Sequence, residues 1–224
     1  MNFLSHFYFE RNESDEYRTL GVVLPDLVKN AQNSCNLYPQ KERHLFETDN
    51  LQKSLLIGWE RHIIVDNIFH SSEYFKVQTG ILKQLILPVV ADSPVKPFFL
   101  AHIGLELMLD HLLVADGIVN VNTFYSQLEK TNKEAVKLFL ETCRLQDTSV
   151  FCRFLNNFIS GRYLLSYQKL ENISYALNRI CMRVWPASMD QNRMDNLTIQ
   201  LVLFKSTLQK NFESIFISLK SRLN

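Results

Sequence analysis

The stretch FFLAHIGLELMLDHLLVADGIV, Phe98 to Val119, decides how the chain folds. Its length and apolar content suit a membrane span, yet it carries His102, Glu106, Asp110, His111 and Asp116. Ionisable groups at that density are very costly in lipid, whereas a protein core accepts them when they find partners. The stretch therefore reads as a buried core helix carrying polar groups. It runs from about Pro97 to Ala115 and stops near Gly117, a C-terminal glycine.

Outward from this helix the same pattern continues. Only six glycines and six prolines punctuate 224 residues, and apolar residues recur at three- and four-residue spacing, which predicts an all-α chain. No stretch has the composition of a flexible linker, so one multi-helix domain is expected over residues 1–224. Upstream, apolar elements are expected at Asn2 to Phe9 and at Tyr17 to Leu27, the second interrupted by Pro25. A loop from Ser34 to Pro39 follows, then helix from Gln40 to His70 with a break near Thr48 to Asn50, then Glu73 to Leu87. Downstream come Asn122 to Lys130, Asn132 to Cys143, Ser149 to Ser160, Gly161 to Tyr167 and Glu171 to Val184. Pro186 breaks the pattern before one long amphipathic helix at about 190–223.

Charge narrows the function classes. Basic residues number 24 and acidic residues 23, so no global field drives nonspecific binding to nucleic acid or to an anionic membrane, and neither partner is expected. Cys35, Cys143, Cys152 and Cys181 are scattered without CxxC spacing, which argues for reduced thiols rather than a zinc knuckle or a disulfide scaffold. MNFLSHFYFE has no basic region before its short apolar run and no small-residue cleavage site after it, so a cytoplasmic protein is expected. Periodicity leaves the oligomeric state open, because the C-terminal helix suits either its own core or a second copy.

Five of the six histidines, His6, His62, His70, His102 and His111, fall inside apolar segments. His62, Asp66 and His70 are spaced i, i+4, i+8 and line one side of a helix that borders the core. His102, Glu106 and Asp110 repeat that spacing in the next polar-bearing helix, with His111 directly after Asp110. Two inward rows of imidazole and carboxylate are expected to face each other around one divalent cation or a pair; mixed oxygen and nitrogen donors suit manganese, iron or zinc. The alternative is a structural network of ion pairs and hydrogen bonds between the two helices.

The segments MNFLSH, GVVLPDL (Gly21 to Leu27), GWERHIIVD (Gly58 to Asp66) and LELMLDHLL (Leu105 to Leu113) resemble, in order and spacing, the signature blocks of acyl carrier protein phosphodiesterases. LLSYQKLENISYALNRICMR, Leu164 to Arg183, is similar to that family's late helix pair, so the resemblance covers nearly the whole chain. It implies a fold distantly similar to HD-type phosphohydrolases. It also implies a manganese- or magnesium-assisted hydrolysis that removes 4'-phosphopantetheine from holo acyl carrier protein. The matched positions are His6, Asp26, His62, Asp66, Asp110 and His111, and the metal-ligand role carries over to Asp26, His62, Asp66 and Asp110. His6, His70, His102 and Glu106 are expected as further ligands or as their supports. The chain departs from the pattern where Phe69-His70 replaces the usual Thr-Asp pair and where Glu106 replaces Asp; Pro25 and His102 are not assumed typical.

The chemistry so implied is that of a cation that lowers the pKa of water and neutralises charge growing on phosphoryl oxygens. Asp26 or Asp110 is expected to orient the water or accept its proton, with His111 as general acid or as a partner holding a ligand carboxylate. Arg61, Arg162 and Arg183 are the candidate phosphate contacts. An acidic protein substrate would meet Lys29, Lys41 and Arg43, or Lys205, Lys210, Lys220 and Arg222. Two other functions fit the same residues: hydrolysis of another small phosphodiester or nucleotide, and a helical binding domain whose polar rows serve as internal struts.

Overall fold

Asp15 opens the first polar-to-helical junction by accepting from the backbone N–H groups of Tyr17 and Arg18, and the same device recurs at later helix starts, Asp49 doing so for Leu51 and Gln52. Ser72, Asn120, Asn132, Asp147 and Asp190 cap the helices that follow them. The computed structural model describes residues 1–33, 35–185 and 189–223. Among them the helices are α1 (Phe3–Glu10), α2 (Glu16–Gly21), α3 (Leu24–Ala31), α4 (Asn50–His70), α5 (Glu73–Ile86) and α6 (Pro97–Ala115). After these come α7 (Val121–Lys130), α8 (Lys133–Thr142), α9 (Thr148–Gly161), α10 (Leu170–Val184), α11 (Gln191–Leu208) and α12 (Glu213–Leu223). Two 3-10 segments, Pro39–Phe46 and Tyr163–Gln168, complete the regular structure; no strand occurs among the described residues. Ser34, at the start of the expected loop, and the breaker Pro186 lie outside those residues.

Contacts divide the chain into two units. The first comprises residues 2–66 and 119–165; the second comprises Met1, residues 67–118 and those from 166 onward. In the first, α2 packs on α1, α3 and α7, while α9 packs on α3, α7 and α8. Phe7, Phe124, Tyr125, Phe139 and Phe151 are fully buried there. In the second, α6 packs on α5 and α10, and α11 packs on both of those. Leu105, Leu109, Leu177, Leu201 and Phe204 form its buried apolar surface.

Two local details position the site residues. Pro25 does not interrupt one element; it sits in the first turn of α3, where its missing N–H costs nothing, and Asp26 follows it there. Gly21, ending α2, and Gly58, in α4, let two backbones touch: a methyl on Gly58 would lie 2.3 Å from Arg18 O and 2.7 Å from Gly21 Cα. No side chain fits at such a crossing.

α6 is long and apolar enough to cross a membrane by length and composition, and 67% of its apolar window is buried against the protein. Its end matches the glycine expectation: Gly117 has φ +68° and Ile118 N–H donates to Leu113 O at 2.9 Å. The expected single helix at about 190–223 is corrected to two, α11 and α12. Between them Lys210 and Asn211 stay exposed while Phe212 turns inward, and Ser214 N–H donates to Asn211 O. Burial of Phe212 and Phe216, aided by the turn tendency of asparagine, outweighs continuing a helix that has no glycine or proline to stop it.

Candidate metal centre

His6 projects from α1, Asp26 from the first turn of α3, and His62 and Asp66 from α4, all within the first unit. The glycine crossing brings the turn after α2 against α4, and His62 Nδ1 there donates to Val22 O at 2.8 Å. That bond places a proton on Nδ1, since a carbonyl only accepts, and turns Nε2 the other way. Nε2 faces carboxylates: Asp66 Oδ2 at 3.6 Å and Asp26 Oδ1 at 3.8 Å. The rings of His6 and His62 stack, with centroids 3.8 Å apart and planes 17° from parallel.

His6 Nε2 is buried and lies 3.2 Å from Asp66 Oδ1. Burial, and then the neighbouring His62, lower the His6 pKa to about 3. Although burial pushes Asp66 up, nearby positive charge and the His6 contact hold its carboxyl below the usual range. Neutral imidazoles and ionised carboxylates are the protonation states a cation needs. The imidazoles form the floor, 1% and 6% exposed, while the side chains of Asp26 and Asp66 remain 30% and 29% exposed at the open side. His6, His62 and Asp66 offer donor atoms mutually within 4.8 Å.

These shifts carry a stability prediction. The unfolded chain binds a proton at His6 near pH 6.5 while the folded chain does so only near 3, so this contribution is present above 6.5 and is lost as pH falls toward 3. In chelator, the melting temperature drops between pH 7 and pH 5, and the drop is smaller in His6→Gln. Equal drops in the two proteins would contradict a buried neutral His6.

A second group forms in the second unit from His70, at the end of α4, with His102 and Glu106 of α6. Residues expected in two facing rows are thus brought together as two groups: His62 and Asp66 join His6 and Asp26, whereas His70 joins His102 and Glu106. Asp110 is completely buried one turn beyond Glu106 and belongs to neither group of three. His111 donates from Nδ1 to Tyr167 O at 2.7 Å and is buried, which lowers its pKa; its Nε2 has no hydrogen-bond partner.

The three arginines part ways. Arg61, next to His62, places Nε 3.3 Å from Glu10 Oε1, and Arg18 holds the other oxygen of Glu10 at 2.6 Å. Arg162 pairs with Glu129 at 2.6 Å and Arg183 is exposed on α10. Sequence reasoning missed Glu10, whose 0% exposure makes it the buried anchor of α1, α2 and α4. Its signal was its position one turn after His6.

The family model described as acyl carrier protein phosphodiesterase matches residues 1–219, which include every donor of both groups. The chain belongs to the acyl carrier protein phosphodiesterase family. Neither curated proteins nor solved structures give a match to it. The family is named for phosphodiester hydrolysis, and the groups His6, His62, Asp66 and His70, His102, Glu106 are compatible with a divalent metal in such a family member.

Proposed function

We propose that the chain is a metal-dependent phosphodiester hydrolase that releases 4'-phosphopantetheine from holo acyl carrier protein in the cytoplasm, on a scaffold related to the HD-type phosphohydrolases. The observation that carries this is the His62 ring: with Nδ1 donating to Val22 O, its Nε2 faces two carboxylates at 3.6 and 3.8 Å, beyond hydrogen-bond distance. Two carboxylates gathered on ring nitrogens in this way are reconciled by a cation among them, and the buried His6 Nε2 meets the same space.

His6, Asp26, His62 and Asp66 would hold the ion; their nitrogen content favours manganese over magnesium, with iron or zinc as alternatives. When bound, the cation supplies a lowered water pKa and charge neutralisation at the phosphoryl oxygens. Asp26, partly exposed at the open side, orients the attacking water and accepts its proton. His111, neutral through burial, acts as a support for neighbouring groups rather than as an acid. Arg61 reaches the phosphate only if it leaves Glu10.

Elemental analysis paired with a phosphopantetheine-release assay tests this reading. Holo acyl carrier protein should be cleaved far faster than bis(4-nitrophenyl) phosphate, and chelator should stop both reactions. Faster turnover of the generic diester would favour a different substrate on the same site; no metal and no turnover would favour the strut network. His44, exposed in the 3-10 segment Pro39–Phe46, serves as the control, and His44→Ala should leave metal content and release rate unchanged within twofold.

A further inference from the structure

We infer that His70, His102 and Glu106 form a second metal site, with donors entirely its own, that takes a divalent first-row transition metal in preference to magnesium. The three donor atoms make a nearly equilateral triangle. His70 Nε2 lies 3.2 Å from His102 Nε2 and 3.0 Å from Glu106 Oε1, and His102 Nε2 lies 3.1 Å from the same oxygen.

As hydrogen bonds these contacts conflict. If both rings donate to Glu106 Oε1, the two N–H groups confront each other across the remaining edge; if one ring turns its lone pair to the other, that lone pair also faces the carboxylate. As ligands they agree. Donors about 2.1 Å from one ion and 3.0–3.2 Å from each other subtend about 90–100° at it, the angle of one octahedral face. Tetrahedral ligation at that bond length would need edges of about 3.4 Å. Two imidazoles and one carboxylate on one face is the arrangement suited to iron(II) and its neighbours, whereas magnesium prefers oxygen and keeps its waters.

The surroundings fit such an ion. Glu106 is buried, and its Oε1 also lies 3.3 Å from the Met1 amino group. Phe75 presses its edge or face on both rings, with centroids 4.9 Å from each, which fixes their orientation. The side chains of His70 and His102 are 31% and 30% exposed, and His70 lines a cavity of about 430 Å³ together with Lys76 and Lys83. The partial exposure of both rings leaves an ion there open to water or an anionic oxygen.

The test uses the full chain, stripped with chelator, loaded with cobalt(II) in millimolar magnesium and desalted, with cobalt per chain and its visible spectrum recorded. The wild type should retain two cobalt ions, His102→Asn and Glu106→Gln one each, Asp66→Asn the other one, and Asp66→Asn/His102→Asn none. Circular dichroism checks that each variant remains helical. Wild-type levels of cobalt in both folded His102→Asn and folded Glu106→Gln would overturn the second site. So would a single wild-type ion that Asp66→Asn removes completely, which would leave the hydrolase reading intact. Two ions on a protein that releases no phosphopantetheine would sink the hydrolase reading and leave this site standing.

Discussion

If the proposed function holds, Asp66→Asn is expected to slow phosphopantetheine release by roughly a thousandfold, the several kcal/mol that a correctly held cation would contribute to the transition state. The change keeps the shape of the side chain and removes the charge that His6 touches and His62 faces. The effect should fall on kcat more than on KM, because the lost interaction is with charge developed in the reaction. The folded state survives, since the side chain is 29% exposed and the amide is soluble there. The check is steady-state release from holo acyl carrier protein, with metal content measured on the same sample. A variant that keeps its rate and its metal would remove Asp66 from the ligand set.

Gly58→Ala is expected to be the most damaging small substitution in the first unit. The new methyl would meet Arg18 O at 2.3 Å and Gly21 Cα at 2.7 Å, and both neighbours are backbone atoms that cannot rotate away. Relief requires α2 and α4 to separate, which also stretches the bond from His62 Nδ1 to Val22 O. The expected loss is about 3 kcal/mol of stability, at the upper end for overpacking, together with a large drop in metal affinity. Gly80→Ala, at a position where nothing lies within 4 Å, should instead be neutral or stabilising by up to about 1 kcal/mol, as usual for glycine inside a helix. Urea unfolding of the two variants side by side checks the contrast; equal midpoints would mean that the crossing is looser than described.

Much of this arrangement was legible in the residues. α6 begins and ends where Pro97 and Ala115 place it, because proline at the first turn and glycine after the last are local devices that tertiary structure rarely overrides. The histidines and carboxylates stood out for an equally local reason, their presence in apolar segments. What the periodicity could not show was their partition. Residues spaced i, i+4, i+8 drift by about 40° per step around a helix, so His62 and His70 diverge along α4 and meet different partners. Those partners, His6 and Asp26 for one, His102 and Glu106 for the other, are fixed by long-range packing. Beforehand, Asp26 was marked only by the family blocks, and His6 by them and by its apolar segment.

The misses have physical causes too. The break before α12 is set by burial of Phe212, which no helix-breaking residue announces. Glu10 ends an apolar helix and reads as the start of a polar loop, yet it is buried because Arg18 and Arg61 arrive from α2 and α4 to neutralise it. The Gly21–Gly58 crossing is likewise invisible until two helices are laid together, although both glycines stand in blocks that carry the family resemblance.

Anomalous diffraction from crystals grown with manganese(II) tests the central claim most directly. A peak bounded by His6 Nε2, His62 Nε2 and the carboxylates of Asp26 and Asp66 is the predicted result, absent from crystals of Asp66→Asn. Well-ordered side chains at those four residues with no peak among them, at manganese concentrations that support phosphopantetheine release, would contradict it.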